Sequence, residues 1–293
     1  MLKFRKLFYG NPGKSLSGLL TSEKLEDLTG SSLIVTNKLI KVMDNGIEVR
    51  NYEWLEENYA TVEFEQLIVS TRMDLLNAED RSSRYTLLRS LLQGRTEVVF
   101  FLSSIAVFGH NCSLIDSTTK IKPKTSYGAE KKQLEKFLCE NQGTNSLVIL
   151  RLSNVINFKD SSSIPSRILN HLLEKNPKNK LILGESRDFI YHEDVTEAMN
   201  KINKRVKEKS FTNRRVIVLG SGKSISLPRL VNSFCSHLGY GEDRTTGISY
   251  SHEIPQVAIK MDDWQREHSV SFRQFSEEEI VKATLKHVEF PYV

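Results

Sequence analysis

Short apolar runs alternate with stretches of helical spacing from the start of the chain. The runs are 6–9, 33–35, 47–49, 67–69, 98–102 and 148–150, each bounded by polar or turn-forming residues. Runs this short and this continuously apolar suit strands buried on both faces, as in a parallel sheet covered by helices. After the first run, Gly10-Asn11-Pro12-Gly13 makes a tight turn, and Leu16, Leu19, Leu20, Leu25 and Leu28 follow with partial helical period. Residues 85–92 and 127–138 read as helices between later strands. The order predicts a doubly wound α/β domain over residues 1–157.

The texture changes beyond Asn157. Lys159-Asp160-Ser161-Ser162-Ser163 is a polar loop, 164–173 a helix, and 216–219 followed by 227–238 one more strand-loop-helix unit. Residues 276–288 form a final amphipathic helix, and no internal repeat is visible. Composition adds mainly exclusions. With 39% hydrophobic and 26% charged residues in 293, the chain can bury a sizeable core and is not a disordered type. Its net charge of +5 is too small to identify a nucleic-acid binder, and no aromatic-basic platform accompanies it. Cys112, Cys139 and Cys235 are scattered, so neither a disulfide framework nor a zinc site is written here, and a reducing compartment follows. No run approaches the roughly 18 apolar residues of a membrane helix, and residues 1–13 break before a signal-peptide core forms. A cytoplasmic protein with no membrane or metal partner is expected.

Two Gly-Lys-Ser triplets, at 13–15 and 222–224, suggest a phosphate loop, but that motif needs a glycine where Phe8 and Ile217 stand. Gly10 and Gly13 remain, with backbone amides at a helix start that could hold a pyrophosphate. An ordinary strand-to-helix turn would use the same two glycines, and both readings stay open. The most informative stretch is Ser103-Ser104-Ile105-Ala106-Val107-Phe108-Gly109 at the end of an apolar strand, with Ser126-Tyr127-Gly128-Ala129-Glu130-Lys131 opening a helix. Tyr127 and Lys131 are one turn apart on a face that Leu134 and Leu138 continue, so both are aimed at the sheet. A phenol ionises near pH 10, and an adjacent ammonium favours the ionised form, which makes Tyr127 a candidate acid/base. Ser104, at a strand's carboxyl end, could hydrogen-bond the same substrate oxygen.

These segments strongly resemble the extended short-chain dehydrogenase/reductase family, the nucleotide-sugar epimerases, dehydratases and ketoreductases. Leu150-Arg151-Leu152-Ser153-Asn154-Val155 is similar to its Arg-x-x-Asn-Val strand end, and the stretch from Arg187 to Val195 to its Arg-Asp-Phe-Ile-x-x-x-Asp-Val segment. The stretch from Leu219 to Leu227 resembles its glycine-serine loop. The resemblance implies a Rossmann-like doubly wound parallel sheet, and a smaller substrate-binding subdomain over 158–293 whose segments 188–222 return to the core. It implies that Ser104, Tyr127 and Lys131 are catalytic, that Asn154 and Arg187 meet a nucleotide-sugar substrate, and that His192 is structural. Gly10, Asn11, Pro12, Gly13, Lys14 and Lys38, with Tyr127 and Lys131, would hold the dinucleotide. NADP is expected over NAD, because Val35-Thr36-Asn37-Lys38 offers no carboxylate to the ribose hydroxyls while Lys38 and Lys14 suit a 2′-phosphate. The family often pairs subunits through the helix carrying the tyrosine, so a homodimer is an expected assembly.

The chain also departs from the family. Leu16 takes the third glycine's place, Val69-Ser70-Thr71-Arg72 stands where His-Leu-Ala-Ala is usual, Phe108 replaces a frequent tyrosine, and the loop before Arg187 is short. Dehydratases of the family carry an Asp-Glu pair where this chain has Ile105 and Ala106. The expected reaction is therefore oxidoreduction at a sugar ring carbon, foremost a 4-keto reduction, with C4 epimerisation or a binding protein that lost turnover as alternatives.

Overall fold

The computed structural model describes residues 2–10, 32–36, 47–73, 75–94, 96–109, 114–143, 145–158, 160–161, 163–174, 179–208, 214–251, 258–260 and 270–287. Elements are numbered in chain order among these residues. Seven strands form one sheet: β1 (Leu2–Tyr9), β2 (Ser32–Val35), β3 (Ile47–Arg50), β4 (Val62–Val69), β5 (Val98–Ser104), β7 (Ser146–Leu152) and β11 (Arg214–Leu219). Their order is β11-β7-β5-β4-β1-β2-β3, and every neighbouring pair is parallel. This is the expected Rossmann-like doubly wound sheet. Its order reverses between β1 and β4, which opens a crevice at the carboxyl ends of those strands.

The apolar runs are continuous because both faces of the sheet are covered. Along β5, Val99 and Phe101 point into one core and Val98, Phe100 and Leu102 into another, as the two-residue period of a strand requires. The first core is closed by α1 (Tyr52–Asn58), α2 (Ala78–Leu92) and α3 (Ser126–Asn141). The second is closed by α5 (His192–Lys207) through Val195, Ala198, Met199 and Ile202, one stripe at helical spacing.

Three smaller sheets lie outside the main one. β12 (Ser224–Ser226), β10 (Ser186–Tyr191) and β8 (Asn154–Ile156) form the largest, with β10 antiparallel to β12 and parallel to β8. β13 (Ile248–Tyr250) pairs with β9 (Leu181–Leu183), and β14 (Ala258–Ile259) with β6 (Leu114–Ile115). A separate apolar cluster joins α4 (Ile164–Leu173), α6 (Leu227–Leu238) and α7 (Glu277–His287) to β9 and β10.

Several elements differ from the expectation. α2 begins at Ala78, seven residues before Tyr85, capped by Asn77, whose Oδ1 accepts from the Asp80 amide at 2.8 Å. Its first turns are polar, so their periodicity is silent. α1 was not expected, and neither was α5, whose apolar stripe was hidden by the charged residues around it. The turn residues Asn11, Pro12, Gly13 and Lys14, the helix expected from Leu16, and Lys38 lie outside the described residues.

Candidate active site

Two loops meet where β5 ends. Ser104 is the last residue of β5 and caps the short 3-10 turn Ile105–Phe108, its Oγ accepting from the Ala106 amide at 3.2 Å. Thr125 caps α3 in the same way, accepting from the Gly128 amide at 3.0 Å. The first turn of α3 then packs directly on the 3-10 turn. A Cβ on Gly128 would stand 2.3 Å from the Ala106 carbonyl oxygen, so only glycine lets the helix come this close. That contact sets Tyr127, the residue before Gly128, near the 3-10 turn that follows β5. It gives the glycine of the Tyr-Gly-x-x-Lys pattern a steric reason.

Lys131 is buried at 4% exposure. Its Nζ donates to the carbonyl oxygens of Thr71 at 2.9 Å and Leu102 at 3.2 Å, spanning the carboxyl ends of β4 and β5. It lies 5.0 Å from the Phe101 ring centroid and 5.6 Å from that of Tyr127. The ammonium is thus held by dipoles in the crevice of the sheet, with its charge beside a phenol. Tyr127 and Lys131 are brought together, and Ser104 ends the strand whose Leu102 carbonyl Lys131 meets.

The described part of the crevice fits a dinucleotide. Gly10 follows β1 with φ 138°, and a Cβ there would stand 2.0 Å from the Ser70 carbonyl oxygen. Among the described residues, backbone meets backbone at the reversal between β1 and β4, the close approach that a pyrophosphate cradle needs. Thr36, after β2, is buried and carries no charge. Arg50, at the end of β3, is in register with Val35 and lies 5.3 Å over the Trp54 ring.

Asn154 and Arg187 fall on the β12-β10-β8 sheet instead. Asn154 Nδ2 donates to the Asp188 carbonyl at 3.1 Å, tying β8 to β10. Arg187 is half-buried, Nη1 donates to the Ser186 carbonyl at 2.9 Å, and burial draws its pKa down to about 10. Between them Asp188 is fully buried. Its carboxylate accepts from the amides of Ser221 at 2.8 Å, Gly222 at 2.9 Å and Ile259 at 3.1 Å, and from the Ser221 hydroxyl at 3.2 Å. Burial raises its pKa against the pull of those four donors. His192 Nδ1 lies 3.3 Å from the Ile156 carbonyl oxygen, in keeping with a structural role.

Sequence reasoning assigned no role to a second buried network. Arg151 of β7 makes a two-pronged ion pair with Glu135 of α3, Nη2 to Oε2 at 2.7 Å and Nε to Oε1 at 3.0 Å, and the Ser103 hydroxyl donates to Oε1 at 2.6 Å. The signal was present: an arginine inside the apolar run of β7 requires a buried acid, and Glu135 stands one turn beyond Lys131. Ser103 precedes Ser104, so this pair anchors the strand end that carries the candidate site. Among the described residues no helix is long and apolar enough to cross a membrane, and no group of three or more His, Cys, Asp or Glu could hold a metal ion.

The family model described as "NAD dependent epimerase/dehydratase family" matches residues 71–220, just over half of the chain. The chain belongs to this family. The match includes Ser104, Tyr127, Lys131, Asn154 and Arg187, and begins after Gly10. Solved structures with the same fold include MoeE5 in complex with UDP-glucuronic acid and NAD, at 16% identity and TM-score 0.75, covering 97% of this chain and all of that one. A UDP-galactose 4-epimerase matches at 16% identity and TM-score 0.73, over 96% and 97% of the two chains. Bordetella bronchiseptica WbmG in complex with NAD and UDP matches at 16% identity and TM-score 0.76, over 97% and 94%. No curated protein matches the sequence.

Proposed function

We propose that this chain reduces a 4-keto group on the ring of a nucleotide-linked sugar, using a nicotinamide dinucleotide and Tyr127 as proton donor. The observation that carries the reading is the Lys131 ammonium, held by the carboxyl ends of β4 and β5 and lying 5.6 Å from the Tyr127 ring. A buried lysine with no task would be a costly choice. A bound nicotinamide would supply the hydride chemistry. Tyr127 gives its hydroxyl proton to the carbonyl oxygen, and Lys131 stabilises the phenolate left behind. Ser104 Oγ accepts from Ala106 N and still has an O–H to donate to the same oxygen, orienting it. Asn154 and Arg187 would meet the nucleotide, Arg187 through its forked cation.

Reduction is favoured over dehydration because the two places after Ser104 hold Ile105 and Ala106, neither of which can move a proton. Ile105 packs against the apolar cluster of Val107, Phe108, Ile115, Val218 and Ile259, and Ala106 is pressed under Gly128. NADP is favoured over NAD because Thr36 brings no carboxylate to the end of β2, and the sequence offers Lys14 and Lys38 to a 2′-phosphate. The test is an assay of purified protein on UDP-, dTDP-, GDP- and CDP-linked sugars and their 4-keto derivatives. Stoichiometric NADPH consumption with a 4-keto substrate is expected. Epimer formation without added cofactor, or release of a 4-keto-6-deoxy product from an unmodified sugar nucleotide, would overturn it.

A further inference from the structure

The Tyr127 ring is met by a cation from each of two elements. Lys131 reaches it along α3, and Arg72, from the segment after β4, places its guanidinium carbon 4.7 Å from the ring centroid. Arg72 is exposed, whereas Lys131 is buried. It stands where the family resemblance implies an alanine. The segment that carries it is fixed on both sides: the Thr71 carbonyl accepts from Lys131, the Met73 amide donates to Glu130 Oε1 at 2.9 Å, and the Met73 carbonyl accepts from Arg81 Nε at 3.1 Å. Buried neighbours thus set the direction in which the exposed Arg72 side chain leaves the chain.

We propose that Arg72 is a positioning residue for the acid/base step, stacking on Tyr127 and acting with Lys131 to favour its phenolate. A cation over a ring face is drawn more strongly to a phenolate than to a neutral phenol, so it lowers the phenol's pKa and holds the ring in place. Among the described residues, the other charged groups at this corner are Glu130 on α3 and Arg81 on α2. Glu130, the nearest acid on α3, is buried and turned to the Met73 amide, Arg81 of α2 is directed at the Met73 and Leu76 carbonyls, and the 3-10 turn Ile105–Phe108 contributes no titratable side chain. In a reduction Tyr127 becomes a phenolate as it gives up its proton, and Arg72 stabilises that product of the step. The inference deepens the proposed function and rests on Tyr127 being the acid/base.

The test titrates Tyr127 directly in the full-length protein by NMR of 13Cζ-labelled tyrosine, assigned by the one resonance of nine that Tyr127→Phe removes. Arg72→Gln is expected to raise the Tyr127 pKa by about half to one unit at low ionic strength, the lower part of the range for an exposed charge at this distance. The shift should shrink by half or more at about 0.5 M salt. Arg72→Lys should recover most of it, and the pH midpoint of 4-keto reduction should move with the NMR value. An Arg72→Gln protein whose Tyr127 titrates at the wild-type pH, or an Arg72→Lys protein no different from Arg72→Gln, overturns the inference. Because the titration needs no substrate, a shifted pKa in a protein that turns over no nucleotide sugar supports the Arg72 electrostatics and defeats the proposed reaction.

Discussion

Two buried charges, one on β10 and one on α3, are held in opposite ways. Asp188 on β10 is surrounded by donors from two segments, the amides of Ser221, Gly222 and Ile259 and the Ser221 hydroxyl. Its charge is consumed locally, and its effect is to pin β10, the glycine-serine loop and β14 to one another. Lys131 on α3 is met by two carbonyl dipoles and two aromatic rings. Its field therefore extends to the Tyr127 phenol. On the proposed function one charge is structural and the other chemical, though both are nearly invisible to solvent. Glu135 and Arg151 form a third case, opposite charges cancelling at 2.7 Å under the strand end.

The largest expected effect tests the chemical side. Tyr127→Phe should lower turnover of the true substrate by about 10²–10⁴-fold, the usual contribution of a general acid/base, with the melting temperature unchanged. A near wild-type rate would remove Tyr127 from the mechanism. The neutralised pair should show its worth in stability. Glu135→Leu leaves Arg151 buried without its counter-charge and should cost about 3–5 kcal/mol in denaturant unfolding, whereas Glu135→Leu with Arg151→Met should recover most of that. A double variant as unstable as the single one would show that the charges are not the cause. Asp188→Ala orphans three amides and should cost about 3 kcal/mol, because each unsatisfied buried donor carries about 1–3 and the loops relax in part. An unfolding midpoint within error of wild type would place the pin elsewhere.

The frame of this molecule was legible from its sequence and its buried polar fastenings were not. The runs 98–102 and 148–150 announce β5 and β7 because a strand covered on both faces needs no polar position. The shared face of Tyr127 and Lys131 was legible because helical spacing alone puts them there. The roles of Glu135, Arg151 and Asp188 depend on residues 16 to 71 positions away, and no local pattern encodes such distances. Arg72 was visible only as a departure from the family. Its stacking on Tyr127 follows from how Met73 is held by Glu130 and Arg81, which is tertiary information. Asn154 was expected at the edge of a substrate pocket, and the structure adds the bond it makes to β10.

That bond makes Asn154 the finest test of the comparison, because it stands between the two regimes. Its side chain has two N–H donors and one acceptor, and one donor goes to the Asp188 carbonyl. If Asn154 belonged wholly to the Asp188 pin, Asn154→Ala would lower stability by about 1 kcal/mol, the net worth of one hydrogen bond, and change nothing else. The proposed contact with the nucleotide adds a kinetic expectation. Binding that is equal in ground and transition states appears in KM alone, so Asn154→Ala should raise KM for the nucleotide sugar severalfold and leave kcat near wild type. Unfolding and steady-state kinetics on the same preparation separate the two. A loss of stability with KM unchanged would place Asn154 on the structural side with Asp188, and the nucleotide would then need another partner on β10, where Arg187 is the nearest cation.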